Sequence, residues 1–113
     1  MTLGEKQELF AELIAQHMLW LIGHGYKIRC GDFYAREGHR EHSNHYIKLA
    51  ADLNLFKDGQ YLTRTEQHFE SGFVWESRHA LCRWGGNWDK DENPMEPGEY
   101  DGNHYSLIHN GRM

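Results

Sequence analysis

Cysteine is scarce in this chain of 113 residues: only Cys30 and Cys82 occur. Two thiols so far apart make neither a zinc knuckle nor the disulfide framework of a small secreted domain, and both are expected to be buried or half-buried. Proline is equally rare, and Pro94 and Pro97 fall in one acidic stretch. No apolar run is long enough to span a membrane, because Leu13–Ile22 is short and interrupted by Gln16 and His17. Positive charge is also short. Twelve Lys and Arg face seventeen Asp and Glu, a formal net charge of -5, so the surplus used in nonspecific nucleic-acid binding is missing. Neither nucleic acid nor a membrane is an expected partner, and no secretory segment is recognised ahead of the first cysteine. The length suits one domain over residues 1–113, expected to act as a monomer.

What the chain does have is histidine and tryptophan, nine and four residues respectively. A helix is predicted from Leu3 or Gly4 to Gly23, with Leu9, Phe10, Leu13, Ile14, His17, Met18 and Leu21 as its apolar stripe. His17 reads as a packing histidine and His24 as an end-of-helix residue. Tyr26–Cys30 alternates as a short strand, and the ionisable stretch after it, up to His45, reads as a functional loop. Ile47–Phe56 reads as a central strand covered on both faces, ending at the hairpin signal Asp58-Gly59. Thr65–His79 looks helical, with a break expected at Ser71-Gly72 and Phe69, Phe73 and Trp75 on its apolar side. Gly85 and Gly86 would allow a tight approach to a neighbouring element, Trp84 and Trp88 would fill the core or line a cleft, and residues 89–98 are loop. Asn103–Ile108 is the last predicted strand.

Asp52 stands in the middle of the predicted central strand. A carboxylate buried there without a partner would cost several kcal/mol, so it must be paired, protonated or bound to a metal. His45 precedes the strand, and a second pair, Asp101 and His104, lies near the C-terminus. Catalytic zinc takes three protein ligands and keeps a fourth position for water. His45, Asp52 and His104 supply such a set, and Asp101 is left over to take a proton from the attacking water. Among nine histidines, ordinary polar pairing is the competing account. Glu76 is equally well read as an acid orienting a ligand histidine or as a helix-surface acid that pairs with His79; His39 and His42 read as solvated loop residues. His68 and His109 have no special context.

The run from Ser43 to Asp52, SNHYIKLAAD, resembles the first motif of the zinc D-alanyl-D-alanine carboxypeptidase and L-alanyl-D-glutamate endopeptidase family, and Asp101-Gly-Asn-His104 resembles its second. The resemblance covers roughly Tyr26 to Leu107. It implies that His45, Asp52 and His104 bind Zn2+, that Asp101 is the catalytic base, that Ser43 supports the loop, and that an upstream arginine, Arg36 or else Arg29, orients the substrate. It further implies an α+β fold, helices packed on a small, mostly antiparallel sheet. The implied substrate is a peptidoglycan stem peptide, cut at the L-alanyl-D-glutamate bond by a phage lysis enzyme made in the host cytoplasm and released to the cell wall. A D-alanyl-D-alanine carboxypeptidase or dipeptidase is the alternative within the family. The alternatives outside it are a non-enzymatic phage particle protein that keeps the fold and, more weakly, a nuclease. One position departs from the pattern: Lys48 stands where the family usually has glycine, so its charge either points to solvent or enters the cleft.

Overall fold

The computed structural model describes all residues, Met1–Met113. Helix α1 spans Leu3–Gly23 and starts at a reciprocal cap: Glu5 N–H donates to the Thr2 hydroxyl and Thr2 N–H to the Glu5 carboxylate. It buries Phe10, Leu13, Ile14, His17 and Leu21 of the predicted stripe, while Leu9 and Met18 are partly buried against the core. The strands are β1 (Lys27–Cys30), β2 (Ala50–Lys57), β3 (Gln60–Tyr61), β4 (Cys82–Trp84) and β5 (His104–Leu107). All their pairings are antiparallel, in the order β1-β2-β5-β4 with β3 added to the end of β2. The domain is therefore a small α+β structure, with an antiparallel sheet packed against helices. No helix is long and apolar enough to cross a membrane.

Two expectations for β2 need correction. The strand begins at Ala50, because Asn44–Ile47 form a 3₁₀ turn closed by Lys48 in the left-handed region, at φ 59°. It is also one-sided. Ala51, Leu53 and Leu55 join the core, whereas Asp52, Asn54 and Phe56 alternate onto the other face and are only partly buried. Asp52 thus escapes the full cost of the core by pointing away from it. The Asp58-Gly59 turn joins β2 to β3, with both residues at positive φ as a tight hairpin requires.

Helix α2 spans Phe69–Arg78 and comes after a 3₁₀ turn at Thr65–His68, so the irregularity precedes Phe69 and Ser71-Gly72 is continuous helix. Gly72 is there for contact: a Cβ would collide with the Trp84 indole. Phe73, predicted on the apolar side, is 45% exposed, and the buried face is Ser71, Gly72, Trp75 and Glu76. Trp75 packs edge-on against Phe10 and Tyr105, joining both helices to the same side of the sheet. Cys82 is buried and its thiol is pushed up to about 12 by burial, whereas Cys30 is exposed, contrary to expectation.

A continuous hydrogen-bond chain crosses this core. The Arg78 guanidinium donates to His17 Nδ1 (3.0 Å), leaving Nε2 to donate to Ser71 Oγ (3.0 Å). Ser71 donates to the Tyr105 hydroxyl (2.8 Å), which donates to His68 Nδ1 (3.1 Å), and His68 Nε2 donates to the Leu62 carbonyl (3.2 Å). His17 is a packing histidine as predicted, and burial holds it neutral, with a pKa of about 3. His68, which has no context in the sequence, proves to be a buried member of the chain.

Candidate metal site

The first half of the site is made by a local fold-back. Ser43 Oγ accepts from His45 N–H (3.3 Å) and caps the 3₁₀ turn, Lys48 ends it, and Leu49 N–H closes onto the Asn44 carbonyl (3.0 Å). This returns His45, 1% exposed, to Asp52 seven residues on, with His45 Nε2 3.1 Å from Asp52 Oδ1. The second half comes through the sheet. Asp52 and His104 are direct partners in the β2–β5 ladder, and His104 Nδ1 lies 3.6 Å from the same oxygen. Asp101 completes the group, its Oδ2 3.8 Å from His104 Nδ1.

The turn that presents Asp101 is held against Gly85. Asp101 N–H donates to the Gly85 carbonyl (3.2 Å), and a Cβ on Gly85 would collide with the Asp101 carbonyl. Burial pushes the Asp52 carboxyl up, but the hydrogen bonds and charges of His104 and His45 outweigh it and bring the pKa down to about 2. Asp52 is an anion at any ordinary pH.

Two of the three separations among His45, Asp52 and His104 suit a bound metal ion. Two ligands each about 2.0–2.1 Å from a tetrahedral zinc lie about 3.3–3.4 Å apart, and 3.1 and 3.6 Å bracket that separation. The set of two imidazoles and one carboxylate is also a zinc set. His104 Nε2 donates to the Met113 main-chain oxygen (2.8 Å), and its Nδ1 faces two carboxylates, Asp52 and Asp101.

The site opens into a cleft of about 410 Å³. Its walls are His39, Arg40, Trp88 and Tyr100, with Asp101 and His104 at its base. His39, expected in solvent, instead stacks on His45 at 4.1 Å between ring centres. One donor atom from each of His39, His45 and Asp52 lies within 4.8 Å of the others, so His39 is a further potential ligand. Its Nε2 is engaged by Asp32 Oδ2 at 2.9 Å. His42 is exposed beside Glu41, as expected.

No family model, curated protein or solved structure matches this chain. The family resemblance therefore stands on its two motifs alone, and the geometry by itself establishes one His/His/Asp group able to hold a metal, His39, His45 and Asp52, with His104 beside Asp52.

The arginines are placed differently from the expectation. Arg36 is exposed and does not line the cleft. Arg29 stacks over Phe56, 4.3 Å from the ring centre, on β1. Arg40 is the guanidinium at the cleft, over the Trp88 ring at 4.9 Å. In the sequence Arg40 and His39 are only two among many loop residues, since nothing periodic in that loop marks which side chains turn inward. Glu76 serves neither suggested role. It is buried, accepts from Asn87 Nδ2 (3.1 Å), and burial raises its carboxyl to about 7. His79 pairs instead with the Leu81 N–H (3.0 Å). Lys48 extends over Tyr34, 5.1 Å from the ring centre, and lies outside the cleft. A separate group of exposed acids, Asp89, Asp91 and Glu96, belongs to the 89–98 loop.

Proposed function

We propose that the protein is a zinc-dependent peptidase that cleaves peptidoglycan stem peptides at the L-alanyl-D-glutamate bond, as a phage lysis enzyme. The observation that carries the reading is the meeting of His45, Asp52 and His104 at one point with Asp101 beside them. His45, Asp52 and His104 would hold Zn2+, which when bound polarises a carbonyl and makes a neighbouring water acidic enough to react near neutral pH. Asp101, with its side chain 54% exposed at the cleft, accepts the proton of the attacking water and returns it to the leaving amine. Arg40 is the cleft's cation for a substrate carboxylate, the part that the resemblance gives to Arg36, and Trp88 supplies an apolar wall. The SNHYIKLAAD and Asp101-Gly-Asn-His104 motifs support the family, whose members cut either this bond or the D-alanyl-D-alanine bond.

Digestion of purified peptidoglycan, with mass-spectrometric identification of the new ends, tests the proposal. New L-alanine carboxyl and D-glutamate amino ends, lost with chelator and restored by zinc, are expected. Release of terminal D-alanine would assign the carboxypeptidase alternative. Metal binding without any cleavage would leave a non-enzymatic protein.

A further inference from the structure

Residues 110–113 are tied to the site at several points. His104 Nε2 lies 2.8 Å from the Met113 main-chain oxygen. A main-chain oxygen only accepts, so Nε2 carries a hydrogen, and Nδ1 faces Asp52 and Asp101. We propose that the Asn110–Met113 turn is the positioning element of the metal site: the Met113 main-chain oxygen keeps a hydrogen on His104 Nε2, leaving Nδ1 for the metal, and Asn44 and Arg112 hold the turn in place. The inference rests on reading His104 as a metal ligand.

Asn44 is fully buried and immediately precedes His45. Its side-chain amide donates to the Leu107 carbonyl (2.6 Å), at the end of the strand that carries His104, and to the Arg112 carbonyl (2.8 Å). Both amide hydrogens meet carbonyls, which fixes the orientation of the group. The Arg112 side chain runs the other way, donating from Nε to the His42 carbonyl (3.0 Å) and from Nη2 to the Ser43 carbonyl (3.2 Å). Paired backbone bonds between His109 and Arg112, 2.9 and 2.8 Å, close the turn itself. The segment bearing His45 and the strand bearing His104 are thus clamped to one short turn. That turn supplies the partner of the ligand ring's second nitrogen, the group that ordinarily fixes the tautomer and direction of a metal-binding histidine.

The test compares the full chain with Arg112→Ala and Arg112→Lys. Three quantities are read: zinc affinity by competition with a chelator, the His104 tautomer in the metal-free protein by long-range proton–nitrogen spectra, and the melting temperature. Wild type should show His104 protonated at Nε2, whether or not Nδ1 also carries a hydrogen. Arg112→Ala should show both tautomers and bind zinc roughly 10–100-fold more weakly, with a small change in melting temperature, and Arg112→Lys should fall between. A wild-type ring without a hydrogen on Nε2 overturns the proposal. So does an Arg112→Ala protein with unchanged tautomer and affinity, or one whose affinity falls only in step with its stability. If Arg112→Ala does not fold, the wild-type tautomer and Arg112→Lys decide. Hydrolysis is not among the readouts, so zinc binding through a locked His104 without cleavage would refute the peptidase reading and leave this one standing. A wild type that binds no zinc would end both.

Discussion

Asp52 and His104 face each other across the β2–β5 ladder, with Oδ1 and Nδ1 3.6 Å apart. Because the sheet brings the two together before any metal arrives, binding should stabilise the fold. At a free zinc concentration 100 times the dissociation constant the gain is about 2.7 kcal/mol, or about 10 °C in melting temperature for a domain of this size. Thermal scans with zinc and then with excess chelator should show the shift and its reversal. Asp52→Asn and His104→Ala should abolish it, and His39→Ala should keep it; the opposite pattern would make His39 the third ligand.

Asp101 approaches the cluster only through His104 Nδ1, at 3.8 Å, and stays open to the cleft. Asp101→Asn is therefore expected to fold and bind zinc as wild type does, while turnover on peptidoglycan falls about 10²–10⁴-fold. Equal turnover in the two proteins would remove Asp101 from its assigned role.

Gly85 is where the chain carrying Asp101 comes closest to its neighbour. Gly85→Ala should cost about 1–3 kcal/mol through overpacking and lower turnover by moving the Asp101 turn. Gly23→Ala meets nothing within 4 Å and serves as the control. Urea denaturation of both variants, read beside their activity, checks the contrast.

Two buried groups give stability opposite dependences on pH. His17 is neutral in the folded state down to about 3 against an ordinary 6.5, so below 6.5 the unfolded chain binds the extra proton. Stability is lost as pH falls through that window, by on the order of 5 kcal/mol over its full width. Glu76 is raised from 4.5 to about 7, so between those values the folded state holds the extra proton and stability falls as pH rises. Glu76→Gln should remove this loss, gaining about 2 kcal/mol on wild type at pH 8 relative to pH 4. Denaturation curves at the two pH values measure the gain, and histidine ring resonances should show His17 not titrating between pH 7 and 4.5.

Lys48 occupies a left-handed backbone position at φ 59°, which explains why glycine suits it. Lys48→Gly should stabilise the domain by about 0.5–1 kcal/mol, offset in part by the lost contact with Tyr34. Zinc affinity and substrate preference should not change, since the ammonium stays outside the cleft. A changed cleavage pattern would place its charge in the site.

Local pattern carried much of this protein. The α1 stripe, the Asp58-Gly59 hairpin and the seven-residue spacing of His45 and Asp52 are all relations between near neighbours, readable from one stretch of chain. What escaped depends on distant partners. Periodicity marks Gly72 as a helix breaker, but Trp84 fills the space beside it and the helix runs through. His68 shows nothing locally because one of its partners, Tyr105, is 37 residues away. Ile47 and Lys48 look like strand until the 3₁₀ turn is seen, and Arg40 is singled out from Arg36 only by the path of the loop.

The series running from Arg78 to the Leu62 carbonyl has a sense as well as a composition. A guanidinium only gives hydrogens and a carbonyl only takes them, so the two ends dictate how every hydroxyl and imidazole between them must be turned. Replacing one interior member therefore strands the neighbours on both sides at once. Ser71, His17, Tyr105 and His68 should consequently change together over evolutionary time, or not at all.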